Sequence, residues 1–218
     1  MPTSLQDSLS YHLPVDAVDH VAKLLMDNRI KLRITRHRNS KLGDFRPSTS
    51  RSPHRLSING SLNRYEFLLV FLHEFAHLKI YERFGKQTAP HGKEWKSFYG
   101  MLIRDFISRG CFHPTLADPL TAYSYRVKAS GVADIEVARL IRAFDEPAKT
   151  GGEWMFLEEI PTDGLFRLNN GRLFVKAGKL RTRYRCRCAQ SGKFFLVHGE
   201  ARVYPAKTSQ VDSNIINT

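Results

Sequence analysis

His73-Glu74-Phe75-Ala76-His77 reads H-E-x-x-H and lies inside Leu62 to Arg83, a run with the composition of a helix. Residues four apart on a helix share a face, with Cβ atoms about 5–6 Å apart. His73 and His77 can therefore hold one metal ion, with Glu74 beside it. Zinc prefers tetrahedral N/O/S ligation, and a catalytic zinc keeps one position open for water. The metal lowers the pKa of that water from about 16 to about 7, within reach of a neighbouring carboxylate acting as base. Phe67-Leu68-Leu69-Val70-Phe71-Leu72 is apolar on every helical face, which predicts a buried helix. Two imidazoles and a carboxylate on such a helix are costly unless paired or bound to a metal. The pattern is that of a zinc peptidase.

A third ligand is needed, and His91, Glu94 and His113 are the candidates downstream. His91 ranks first. It precedes the apolar-periodic stretch Trp95, Phe98, Tyr99, Leu102, Ile103, Phe106, so it stands at the start of a helix able to pack beside the first, and Gly92 allows close backbone approach. Glu94 also fits as a favourable partner of that helix's dipole. His113 precedes Pro114 and reads as a loop residue.

The chain resembles the SprT-like (Spartan-type) metallopeptidase family over roughly residues 15 to 108. The resemblance is carried by Lys41-Leu42-Gly43-Asp44-Phe45-Arg46-Pro47, Leu56-Ser57-Ile58-Asn59, Leu62-Asn63, His73-Glu74-Phe75-Ala76-His77-Leu78 and His91-Gly92-Lys93-Glu94-Trp95, in order. It implies His73, His77 and His91 as ligands of one catalytic Zn2+ and Glu74 as general base. It also implies substrates that are proteins associated with, or crosslinked to, DNA. The C-terminal half departs from family members that end in a zinc ribbon, since only Cys186-Arg187-Cys188 is present there. A Cys186/Cys188/His198 site lacks the usual C-x₂₋₄-C spacing, and residues two apart on a strand share a face, so the two cysteines also read as small core residues.

The 218 residues carry 34 Lys+Arg against 21 Asp+Glu, a formal charge of +13. That balance points to an acidic partner such as nucleic acid. Eighteen of the basic residues fall in two blocks, Arg29 to Arg55 and Gly164 to Gly199, the first with Asp44 as its one acid and the second with none. Arg181, Arg183, Arg185 and Arg187 alternate with other residues, so a strand there presents a row of arginines suited to phosphate or to protecting an edge. Met1 to Pro14 has no apolar core segment of a secretory signal, the longest apolar run is Phe67 to Leu72, and three Cys make no disulfide framework. These features favour the cytoplasm and no membrane partner.

The fold class expected is α+β: a zincin-like core of a long H-E-x-x-H helix, neighbouring helices and a small sheet, followed by a small antiparallel β domain. The divisions read as 1–110 metallopeptidase core, 111–150 helical connector, 151–207 basic β-rich domain and 208–218 tail. Helices are predicted over Val15–Asn28, Gly92–Arg109 and Val132–Phe144, and strands over Ile30–Arg36 and Arg55–Asn59, with a short one at Phe45. Further strands fall at Trp154–Ile160, Leu165–Leu168, Arg172–Lys176, Leu180–Cys188, Lys193–Val197 and Ala201–Tyr204, with a hairpin at Asn169-Asn170-Gly171. Arg55–Asn59 is the expected edge on which an extended substrate adds. Tyr81 and Tyr99 are the candidates for stabilising an oxyanion. The leading function is a zinc endopeptidase acting on DNA-associated proteins. The alternatives are a non-catalytic zinc-containing nucleic-acid module and a peptidase with no nucleic-acid role.

Overall fold

The structure, a computed structural model, describes residues 4–36, 41–128, 135–145, 154–168, 170–181, 183–199 and 201–206. The expected linker at 147–152, the first turn of the helix expected from Val132 and the 208–218 tail lie outside these residues. The chain is α+β and divides into two compact units, Met1–Glu146 and Pro147–Thr218.

The first unit opens with α1 (Leu5–Ser10), which the sequence reading did not anticipate. Ser4 caps it: its hydroxyl accepts from the Asp7 amide at 3.1 Å, and the Asp7 carboxylate accepts from the Ser4 amide at 3.0 Å. A single 3-10 turn over Val15–Ala17 leads into α2 (Val18–Asp27). The α2 residues Val18, Val21, Ala22 and Leu25 recur at helical spacing and are buried.

Three strands follow: β1 (Lys31–Thr35), β2 (Gly43–Arg46) and β3 (Arg55–Asn59). They form one sheet in the order β1-β3-β2, with β3 parallel to β1 and antiparallel to β2. This overturns the expectation that Arg55–Asn59 is the edge strand. Its Leu56 and Ile58 are fully buried, and a strand so buried is stable with a neighbour on each side to satisfy its backbone. The edges are β1 and β2.

Next come α3 (Arg64–Phe84) and α4 (Lys93–Ser108). Asn63 starts α3, its side-chain oxygen accepting from the Tyr65 and Glu66 amides at 3.1 and 3.0 Å. Gly85, at φ 70°, ends it in the left-handed region that glycine adopts without strain. The segment expected to connect the two domains supplies α5 (Pro114–Tyr125) and α6 (Ile135–Arg142). Leu116, Leu120, Tyr123, Val137 and Ile141 belong to the same core as α3, so these helices are part of the first unit. Gly100 of α4 lies so close to the Ser124 carbonyl of α5 that a Cβ there would overlap it, and Arg104 donates to Ser124 Oγ at 3.0 Å. The Asn63 amide nitrogen donates to the Ile141 carbonyl at 3.1 Å, fastening the end of α6 to the start of α3.

The second unit contains β4 (Met155–Phe156), β5 (Leu165–Arg167), β6 (Leu173–Lys179), β7 (Arg183–Cys188), β8 (Phe194–His198) and β9 (Arg202–Pro205). They make one antiparallel sheet in the order β4-β9-β5-β6-β7-β8. The strand expected over Trp154–Ile160 is only two residues long and passes into a 3-10 turn at Leu157–Glu159. Lys176 is buried here. Its ammonium lies 4.1 Å from the centre of the Tyr184 ring and donates to the carbonyls of Glu158 and Ile160, tying that turn to the sheet. Among the described residues, no helix is long and apolar enough to cross a membrane.

Candidate metal centre

α3 is buried on nearly every side, and His73 and Glu74 retain only 9% and 8% of their exposure. One helical turn separates His73 from His77, which brings their rings to 4.9 Å. The third imidazole comes from the turn before α4, where the Gly92 amide donates to the Ala89 carbonyl at 3.0 Å. That turn swings His91 over α3. The Nε2 atoms of His73 and His77 are 3.2 Å apart, those of His77 and His91 3.1 Å, and those of His91 and His73 3.3 Å.

The triangle is the shape of a metal site. At a ligand distance of about 2.0–2.1 Å, a tetrahedral centre has ligand-to-ligand edges of about 3.3–3.4 Å. Three imidazole nitrogens facing one another cannot all be satisfied by mutual hydrogen bonds, because each neutral ring carries one N–H. Their protonation state suits a cation. Burial, then the charges His77 and His91 would carry, holds His73 down to about 3. Burial, then His91, holds His77 down to about 4. His91 is also lowered, by burial and by Lys96. All three are therefore neutral near pH 7, with lone pairs available. Among the described residues this is the one group of three or more His, Cys, Asp or Glu side chains whose ligand atoms converge, and it can hold a metal ion.

Trp95 is the common wall of the site. Its ring centre lies 4.6 Å from His73, 5.1 Å from His77 and 4.6 Å from His91, and it stacks at 5.0 Å on Tyr99 beneath. Metal-bound imidazoles usually donate their second N–H to a carboxylate or carbonyl. Nδ1 of His73 has no such partner among the described residues, nor has the indole nitrogen of Trp95. Ring packing, not a hydrogen bond, orients His73.

Glu74 lies under β2. A Cβ built on Gly43 would meet the Glu74 carboxylate, sitting 2.7 Å from its Cγ and 2.7 Å from Val70 Cγ1. Only glycine lets the edge strand approach this closely. The sequence shows a glycine before a short strand but nothing that places it against Glu74.

The other candidates fall outside the triangle. Glu94 is exposed in the first turn of α4, and His113 caps α5, accepting from the Thr115 amide at 3.3 Å. Tyr99 is fully buried and donates to the Leu69 carbonyl at 3.3 Å, and burial pushes its hydroxyl well above its ordinary pKa, so it supports the site from the core. Tyr81, one turn past His77, is half-buried and packs on Phe45 of β2 at 5.8 Å.

In the second unit, the arginine row is shorter than expected. Arg183, Arg185 and Arg187 are exposed along one face of β7, whereas Arg181 stands in the bend before it. Cys186 and Cys188 point to the opposite, buried face, and His198 is exposed across from Arg183, so the three do not converge. Burial pushes the Cys186 thiol up to about 11. Burial also raises Cys188, but hydrogen bonds from Ser191, Arg172 and Gln190 outweigh it and bring that thiol to about 7. Both behave as core residues.

A scan against protein-family models and searches of curated proteins and of solved structures gave no match to this chain.

Proposed function

We propose that the chain is a zinc-dependent endopeptidase with a zincin-like core, acting on proteins associated with DNA. The observation that carries this is the triangle of imidazole nitrogens, 3.1 to 3.3 Å on a side, with buried Glu74 adjacent in the chain to one of its members. The donor set favours zinc. Neutral imidazoles suit zinc, whereas calcium and magnesium demand oxygen, and three protein ligands are the complement of a catalytic zinc. Zinc held by His73, His77 and His91 supplies a Lewis acid that polarises a carbonyl and acidifies water.

The remaining steps belong to the chain's own groups. The Glu74 carboxylate takes a proton from the water that attacks the scissile carbonyl. It then returns that proton to the nitrogen of the leaving amine, so that both products depart neutral at the cleaved bond. β2 is an edge of its sheet and runs over Glu74, so an extended substrate pairing with β2 would bring its backbone to the carboxylate. Trp95 holds the three ligand rings in their relative orientation. The exposed Arg183, Arg185 and Arg187 and the charge of +13 support association with nucleic acid. The resemblance to SprT-like peptidases agrees with both parts.

The test is cleavage of a DNA-bound basic protein by wild type and by Glu74→Gln, each with and without single-stranded DNA. Wild type should cleave and Glu74→Gln should not, while both bind one zinc per chain. Full activity in Glu74→Gln would sink the mechanism. Activity indifferent to DNA would leave a peptidase without a nucleic-acid role. Absence of any cleavage with zinc bound would favour a non-catalytic module.

A further inference from the structure

The sheet of the first unit has two faces of opposite character. Leu32, Ile34, Phe45, Leu56 and Ile58 alternate toward the core. The intervening residues turn the other way, and the register sets them in rows. Lys31 on β1 lies opposite Arg55 on β3, which lies opposite Arg46 on β2. In the next row Arg33 lies opposite Ser57, and Ser57 opposite Asp44. Three cations thus stand side by side across three adjacent strands, spanning about 10 Å at the usual strand spacing. Like charges directly opposite one another destabilise a sheet. Asp44 does not relieve the row as a whole. Burial alone would raise its carboxyl, but Lys41 and Arg46, at 2.9 and 3.0 Å, outweigh this and hold it below its ordinary value. Lys31, Arg33 and Arg55 have no ion pair to an acid among the described residues. Lys31, Arg33 and Arg46 are exposed and Arg55 is half-buried.

We infer that this outer face is a docking surface for the phosphodiester backbone of a nucleic acid, on the unit that carries the candidate metal centre. The inference rests on the nucleic-acid part of the proposed function and gives it a second, separate surface. Its strand residues are Lys, Arg, Ser, Asp, Asn and Thr; Lys31, Arg33 and Arg46 carry its exposed charge, whereas Ser57 and Asn59 on the central strand are buried. These described strand residues offer no aromatic ring to stack a base and no apolar anchor for a membrane or for the centre of a protein interface. What remains is phosphate contact, which reads no sequence. A polyanion compensates the repulsion within the row and releases its own counterions, so binding falls steeply with salt.

The experiment uses the full chain carrying Glu74→Gln, so that binding is measured whether or not the protein is a peptidase. Labelled mixed-sequence oligonucleotides, single-stranded DNA, single-stranded RNA and duplex DNA, are titrated by fluorescence anisotropy over a series of salt concentrations. Arg55→Glu converts the row to alternating charge, so its melting temperature should hold or rise while affinity drops by about fivefold or more. Its slope of log K against log salt should fall by about 1 on duplex DNA. Lys31→Gln/Arg33→Gln, changed at two exposed positions, should lower the slope by about 2 and serves if Arg55→Glu fails to fold. Scrambling the oligonucleotide sequence should leave affinity unchanged. The inference is overturned if the parent binds no oligonucleotide, or if both variants keep its affinity and slope. It is equally overturned if only Arg183→Gln/Arg185→Gln/Arg187→Gln weakens binding, or if the face prefers phosphatidylserine-containing vesicles to nucleic acid.

Discussion

Gly43 and Glu74 share a space that admits no side chain at position 43: a Cβ there would lie 2.7 Å from Glu74 Cγ. The edge strand and the carboxylate are therefore positioned by one another. Gly43→Ala should displace either β2 or Glu74 at an overpacking cost of about 1–3 kcal/mol. Zinc content should be unchanged, because the atoms nearest the new methyl belong to Glu74 and Val70 and not to an imidazole, while peptidase activity falls by about tenfold or more. Zinc stoichiometry beside cleavage rate decides this, and a fully active Gly43→Ala would remove the strand from the site.

Trp95 touches all three ligand rings, which gives the site an optical reporter. The chain has two tryptophans, so Trp154→Phe isolates the signal of Trp95. Cobalt bound in place of zinc should quench that emission in a one-to-one titration. Trp95→Ala should cost about 3–5 kcal/mol and loosen metal binding, whereas Trp95→Phe should keep most of both. Emission that ignores stoichiometric cobalt would place the metal elsewhere.

Acid should weaken the metal-free protein. The folded chain holds His73 and His77 at about 3 and about 4, chiefly through burial and next through the neighbouring imidazoles. In the unfolded chain they titrate near the ordinary value of about 6.5. Between these limits the unfolded state binds more protons, so stability rises with pH. The contribution is complete above about pH 6.5 and is lost as pH falls toward about 3. Denaturant midpoints of chelated protein over that range should fall steadily, and His73→Gln/His77→Gln should flatten the profile. A flat profile in wild type would show that the imidazoles are solvated.

Metal removal should lower stability by mass action. Zinc held a thousandfold above its dissociation constant adds about 4 kcal/mol, because the unfolded chain has no assembled site. Chelation should depress the melting temperature, and equimolar zinc should restore it. His91→Ala should lose most of this increment, since it removes one vertex of the triangle. If His91→Ala binds zinc as tightly as wild type, the third ligand lies elsewhere.

Local geometry explains what was legible in advance. The four-residue separation of His73 and His77 puts two imidazoles on one face once the segment is helical, and the all-round apolar run Phe67–Leu72 makes that helix a buried one. Periodicity also places α2, α4, β1 and most strands of the second unit, because side-chain direction repeats along one element. The edge assignment of Arg55–Asn59 failed because strand order depends on partners distant in the chain, and a strand's own residues do not say how many neighbours it has. The arginine row was overextended at Arg181 because strand ends depend on pairing with β6 and β8.

Residue types and spacings along the chain determined two candidate metal ligands, the adjacent carboxylate, most of the helical and extended segments and the excess of positive charge. The sequence ranked His91 first among three candidates, and the tertiary structure brings it to the other two imidazoles; only the tertiary structure decided that Gly43 seats the edge strand on Glu74 and that Lys31, Arg55 and Arg46 fall in one row. The division has one physical cause. Spacing within an element is set by backbone geometry over a few residues, whereas contacts between elements are set by how their buried faces pack, and that packing is a property of the whole unit.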